Sequence, residues 1–176
     1  MTTQLLLAGF GGQGILFAGK FLVYGGLLEG RHVSWLPSYG PEMRGGTANC
    51  SVILSDEPIG SPIVLEPDIL IAMNLPSFSR FALDLKAGGV LLADSSLINE
   101  KTSREDITAF YVPATQMAGD EGLSGLANMI LLGKLLKETG LLSPETVEAA
   151  MDKSIPPRKA QLREQNLRAI ALGGAQ

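Results

Sequence analysis

The stretch Gln4-Leu5-Leu6-Leu7-Ala8-Gly9-Phe10-Gly11-Gly12-Gln13-Gly14, leading into Ile15-Leu16-Phe17-Ala18, decides the fold. Gln4 to Ala8 is an apolar run of strand length, bounded by a glycine-rich turn. A helical pattern follows from Ile15 to about Leu28, and Gly25, Gly26 and Gly30 punctuate its end. Gly9, Gly11 and Gly14 fit the spacing G-x-G-x-x-G in the strand–turn–helix context that the pattern requires. Residues without side chains let backbone N–H groups approach an anion, and a helix N-terminus adds about half a positive charge. A phosphate or carboxylate is stabilised at such a turn. The plainer reading is that the glycines only permit tight strand–helix packing.

Working outward, His32 to Leu36 reads as a second strand, followed by a loop from Pro37 to Gly46. Thr47 to Ser55 is a longer strand in which Val52 and Leu54 share a face. Further strands are expected at Asp68 to Met73, Val90 to Ala93 and Thr108 to Val112, the last at an edge, with a helix from Leu75-Pro76 to about Leu85. The last third is helical. Leu126 to Glu138 is apolar on nearly every side, which predicts burial, with Gly140 closing it. Ser143-Pro144-Glu145 is a helix start: a capping hydroxyl, proline in the first turn and an acid beside it. A final helix runs from about Pro157 to Leu172. The expected fold is α/β, a doubly wound, mostly parallel, Rossmann-like sheet with C-terminal helices, as one domain over residues 1–176.

Composition narrows the function. Hydrophobic residues make up 45% and charged ones 18%, with a mean hydropathy of +0.22. Such a chain is expected to bury its sheet on both faces and to cover part of its exterior with another subunit. A net charge of -4 argues against nucleic acid, which needs a basic stripe. The basic C-terminal residues Arg158, Lys159, Arg163 and Arg168 read as a solvated helix face, with contact to an acidic partner or an anionic ligand as the alternative. One cysteine, Cys50, excludes an intrachain disulfide and any cysteine-rich metal or iron–sulfur site, and it reads as a buried, unreactive thiol. The single histidine, His32, has no partners for a triad or metal site. No apolar run reaches the length of a membrane span, so the expected location is cytoplasmic.

The turn is not a P-loop, because no Gly-Lys-Ser/Thr follows it. A dinucleotide enzyme also needs an acid at the end of its second strand. Here that strand ends in Leu36-Pro37-Ser38, with Glu29 before it and Glu42 well into the next loop. A stand-alone nucleotide-binding enzyme is therefore the weaker alternative.

The loop Ser38-Tyr39-Gly40-Pro41-Glu42-Met43-Arg44-Gly45-Gly46-Thr47 is the more specific signal. It sets an aromatic, an anion and a forked cation within a few residues. Either a Glu42–Arg44 pair holds the loop in shape, or Arg44 clamps a carboxylate or phosphate. In a doubly wound sheet this loop and the glycine turn are expected to leave neighbouring strands and line one crevice.

At these motifs the chain resembles the gamma subunit of the 2-oxoacid:ferredoxin (or acceptor) oxidoreductases. The resemblance spans nearly the whole chain. It includes Gly9 to Gly14, Ser38 to Val52, Ser55-Asp56-Glu57-Pro58-Ile59-Gly60-Ser61-Pro62, and Leu126-Ala127-Asn128-Met129 through Gly133. Tyr39 to Gly46 looks most like the 2-oxoglutarate branch. The resemblance implies an enzyme of several subunits. It decarboxylates a 2-oxoacid on thiamine diphosphate with magnesium, passes electrons through iron–sulfur clusters to ferredoxin, and forms acyl-coenzyme A. Thiamine diphosphate is expected on alpha and beta subunits, and clusters on beta or a ferredoxin-like delta subunit. No catalytic residue and no cofactor is expected on this chain alone. Its implied role is structural, with coenzyme A positioning by Gly9, Gly11, Gly12, Gln13, Gly14, Glu42, Arg44, Gly45, Gly46 and Asn128. A purely architectural subunit is the remaining alternative.

Overall fold

The computed structural model describes residues 1–38 and 47–176. The strands are β1 (Thr2–Phe10), β2 (His32–Ser38), β3 (Thr47–Ser55), β4 (Ile69–Ala72), β5 (Val90–Asp94) and β6 (Thr108–Val112). The helices are α1 (Ile15–Leu28), α2 (Leu75–Phe81), α3 (Ala114–Asp120), α4 (Ala127–Thr139), α5 (Pro144–Ser154) and α6 (Ala160–Gly174). They form one six-stranded sheet in the order β2-β3-β1-β4-β5-β6. β1, β4, β5 and β6 pair in parallel, while β3 is antiparallel to both β1 and β2. Five strands therefore point the same way, as expected of a mostly parallel sheet.

Alternation along the central strands sorts side chains between two layers. Leu5, Leu7, Ile69, Ile71 and Leu92 face the layer of α1, α3, α4, α5 and α6. Leu6, Leu70, Ala72, Leu91 and Ala93 face the other, with Phe78 of α2 and Ile98. Burial on both faces explains why these strands read as unbroken apolar runs. α1 and α2 thus lie on opposite faces although β1 and β4 are neighbours. The carboxyl ends of β1 and β4 are the point where the winding reverses, and such folds place ligands there.

Local signals act as written. Asn74 caps α2 by accepting from the Ser77 N–H at 2.8 Å, and Ser143 caps α5 through Thr146 N–H at 3.1 Å. α4 is buried from Ala127 to Leu136 and packs on α6 with almost no gap. A Cβ at Gly133 would run into the Ile170 carbonyl, and one at Gly173 into the Ile130 carbonyl. Cys50 is fully buried on β3, and burial pushes its thiol up to about 12, which matches the inert thiol expected. No helix among the described residues is long and apolar enough to cross a membrane.

Candidate functional site

β1 delivers the chain to Phe10 at the carboxyl end of the sheet, and α1 starts five residues later. Gln13 braces the turn between them. Its Oε1 accepts the Phe10 N–H at 2.6 Å, and its Nε2 donates to the Met73 carbonyl, just beyond β4, at 3.0 Å. One side chain thereby ties the turn to both strands of the reversal point. It also explains Gly9, where a Cβ would stand 2.5 Å from Gln13 Oε1.

Gly14 caps α1 with φ 74° and ψ 20°, a left-handed conformation that glycine adopts without strain. No side chain caps this helix and no acid lies in its first turn. Its leading N–H groups and the positive end of its dipole therefore meet no carboxylate of the helix itself. Behind the turn, Asn128 in the first turn of α4 is buried, and its Nδ2 donates to the Gly14 carbonyl at 3.0 Å. A Cβ on Gly14 would collide with that amide.

The expected site residues now divide. Gly11 and Gly12 are exposed and Gly14 is half-buried, so their backbone can touch a ligand. Gly9 and Asn128 are buried, and both ends of the Gln13 amide are engaged, so these three shape the turn from within. Glu42, Arg44, Gly45 and Gly46 lie outside the described residues.

The expectation that the two motifs leave neighbouring strands needs correction. β3 is inserted between β1 and β2, and its antiparallel course was not visible in the strand pattern. The motifs nevertheless belong to the same end of the sheet, since Phe10 pairs with Thr47 and Ser38 with Asn49. The inserted strand also bears on dinucleotide binding. β2 stands two strands from β1, about 10 Å away at ordinary strand spacing, so its end is displaced from where a ribose-binding acid belongs.

Two clefts flank the turn. One, of about 280 Å³, lies toward β3 and includes Phe10, Gly11, Gly14, Leu16 and Ala48. The other, of about 200 Å³, lies toward β4 and α3 and includes Gln13, Met73, Leu97, Thr115, Ala118 and Ala127. Gly12 borders both. Sequence reasoning missed the second cleft because it missed α3. That helix is short, begins at Pro113 without a side-chain cap, and carries Gly119. The usable signal was Asp94, fully buried at the end of β5, whose carboxylate accepts from Thr115 Oγ1 and from Ser96 N–H and so fixes the start of α3.

The described residues contain no group of three or more His, Cys, Asp or Glu placed to hold a metal. An iron–sulfur cluster requires several thiolates. With only Cys50, buried and protonated, this chain does not fit one.

A glycine turn opening a helix at the reversal point of a doubly wound sheet places the molecule in the Rossmann-like class of α/β domains. The chain belongs to the pyruvate ferredoxin/flavodoxin oxidoreductase family, whose family model matches residues 4–176. It is 38% identical to the 2-oxoglutarate synthase subunit KorC of Methanocaldococcus jannaschii, over 98% of this chain and 92% of that one. It is 42% identical to the ketoisovalerate oxidoreductase subunit VorA of Methanothermobacter thermautotrophicus, over 97% of this chain and 35% of that one. The chain thus spans about a third of the length of the VorA relatives it matches. The crystal structure of the keto/oxoacid ferredoxin oxidoreductase gamma subunit from Geobacter sulfurreducens superposes with a TM-score of 0.83 at 29% identity, covering 98% of this chain and 96% of that one.

Proposed function

We propose that this chain is the gamma subunit of a 2-oxoacid:ferredoxin oxidoreductase acting on 2-oxoglutarate, and that it helps to position coenzyme A. The observation that carries the reading is full-length correspondence in both directions with KorC and with the gamma-subunit structure. Partner alpha and beta subunits supply thiamine diphosphate, magnesium and clusters, with a ferredoxin-like delta subunit where the clusters are not all on beta. The chain's single cysteine cannot hold a cluster, which supports placing the clusters on the partners.

Coenzyme A is a substrate with a diphosphate and a 3′-phosphate. The Gly11–Gly14 backbone and the α1 N-terminus offer N–H groups and positive potential to the diphosphate, while Gln13 and Asn128 hold the turn in shape. Arg44, on the segment that begins and ends at the same sheet end, is the candidate contact for a second phosphate. Calorimetry on the complex assembled with its thiamine-binding subunits tests this. Arg44→Ala is expected to weaken coenzyme A roughly tenfold, the scale of one lost charge-assisted contact. Unchanged affinity would remove Arg44 from the site.

An architectural role is the second reading, favoured by the engagement of Gly9, Gln13 and Asn128 inside the fold. Normal turnover in a complex carrying Gly11→Ala and Arg44→Ala together would establish it.

A further inference from the structure

The layer on the α2 side covers the sheet unevenly. α2 packs on β1 and β4, and the segment after β5 covers β6, where the Thr102 N–H donates to the Tyr111 hydroxyl at 2.8 Å. Over β2 and β3 the cover is only a strap. Pro58, Ile59 and Ile63, from the turn that follows β3, line a cleft with Gln4 and Ile53 toward the amino end. The strand partners Leu6, Ser51 and Leu36 continue the α2 face across β3 to the edge strand β2. There Leu36 is 42% exposed and Phe10, at the end of β1, is 40% exposed. Ser34, Asn49 and Ser51 between them are half-buried, and no helix among the described residues lies over them.

This face suits protein better than water. β1, β2 and β3 contain no Lys, Arg, Asp or Glu, whereas the exposed sides of α5 and α6 carry Glu145, Asp152, Lys153 and Glu164. Edge strands that stay in water are normally guarded by charge, and depletion of charge around an aromatic anchor marks the core of an interface. At ordinary strand spacing the face measures about 10 Å by 20 Å, well short of the roughly 800 Å² per partner of a stable interface. A stable occupant therefore reaches past it, as a large subunit does and a peptide does not. In the VorA relatives the matched domain makes up about a third of the chain and is joined to a larger body. We infer that the β2–β3 face is where a thiamine-binding partner subunit docks. Leu36 and Phe10 are its anchors, and Ser34, Asn49 and Ser51 are small enough to let the partner approach closely. The inference rests on the subunit reading above and adds to it the surface. It also gives the turn Ser55 to Pro62 a place, as the strap that borders the contact.

The test uses the full chain, alone and assembled with its thiamine-binding subunits. Cys50 is the only cysteine and is fully buried, so a thiol introduced by Ser34→Cys or Ser51→Cys reports on the face by itself. Alkylation of either thiol at pH 8 is expected to be at least tenfold slower in the complex than in the chain alone. Leu36→Lys, at an exposed position, should weaken assembly at least tenfold and leave the thermal unfolding midpoint of the chain alone within about 2 °C of wild type. Equal labelling rates in the two states, or unimpaired assembly of Leu36→Lys, would overturn the inference while the subunit reading stands. Labelling that is slow in the concentrated chain alone and quickens on dilution would give the face to a second copy, and would also overturn it. If the chain does not co-purify with the thiamine-binding subunits, the subunit reading falls and this one with it.

Discussion

Asn128 Nδ2 donates to the carbonyl of Gly14 at 3.0 Å, joining the first turn of α4 to the residue that caps α1 across 114 positions of sequence. The same carbonyl accepts the Ala18 N–H at 3.0 Å, so Asn128 supplements the first helical bond and seats the glycine turn on the buried helix. Asn128→Ala is expected to cost about 1–2 kcal/mol, the range for a buried hydrogen-bond partner with some lost packing. Asn128→Asp should cost more, since it sets a carboxylate against the Gly14 carbonyl in a buried site. Urea denaturation of the two variants checks both the sign and the order.

Gln13 braces the same turn from the side of β4. Gln13→Ala removes the links to Phe10 and Met73 together, with an expected loss of about 1–2 kcal/mol. Gln13→Glu keeps an acceptor for Phe10 but turns a second oxygen toward the Met73 carbonyl, so it should not restore wild-type stability. Equal stability of wild type and Gln13→Ala would show that the turn holds its shape without the brace.

The α4–α6 contact makes a sharper prediction. Gly133→Ala and Gly173→Ala each drive a methyl group into a facing backbone carbonyl, which cannot rotate away. Each should destabilise the fold by about 1–3 kcal/mol or more, as overpacking does. Gly119→Ala in α3 is the control, because a Cβ there meets nothing within 4 Å. It should be neutral or stabilising by up to about 1 kcal/mol. Thermal unfolding of the three variants separates a steric cost from a general effect of alanine.

Cys50 sets an alkaline dependence. Burial raises its folded pKa from 9.0 to about 12, so the folded state holds a proton that the unfolded state gives up first. The stability associated with that proton is fully present below pH 9.0 and is lost as pH rises from there through about 12. Cys50→Ala should therefore lose less stability than wild type between pH 8 and pH 11, and the native thiol should resist alkylation at pH 8. Parallel pH slopes of the two proteins would contradict the assignment.

Much of this was legible in the sequence, and the exceptions have physical causes. α1 and β3 begin and end where their patterns place them, and Ser143 caps α5 as its proline and acid imply. Those signals are local: a glycine turn, an apolar period and a capping hydroxyl act within a few residues. The direction of β3 is not local, because Thr47 to Ser55 would read the same in either orientation. α3 escaped notice because seven residues with a glycine and an uncapped start carry little propensity. At the site, the glycine spacing marked the turn. It took the fold to show which residues face out, since the partners of Gly9 and Gly14 are Gln13 and Asn128.

The central claim, that this chain is a working subunit of a 2-oxoglutarate-dependent oxidoreductase, is tested most directly by reconstitution. Thiamine-binding and cluster-bearing subunits are assembled with and without this chain, and coenzyme A-dependent reduction of ferredoxin by 2-oxoglutarate is followed. The account predicts that the chain co-purifies with those subunits and that reduction with 2-oxoglutarate requires it. A complex that turns over equally well without the chain, or that reduces ferredoxin only with a different 2-oxoacid, would contradict it.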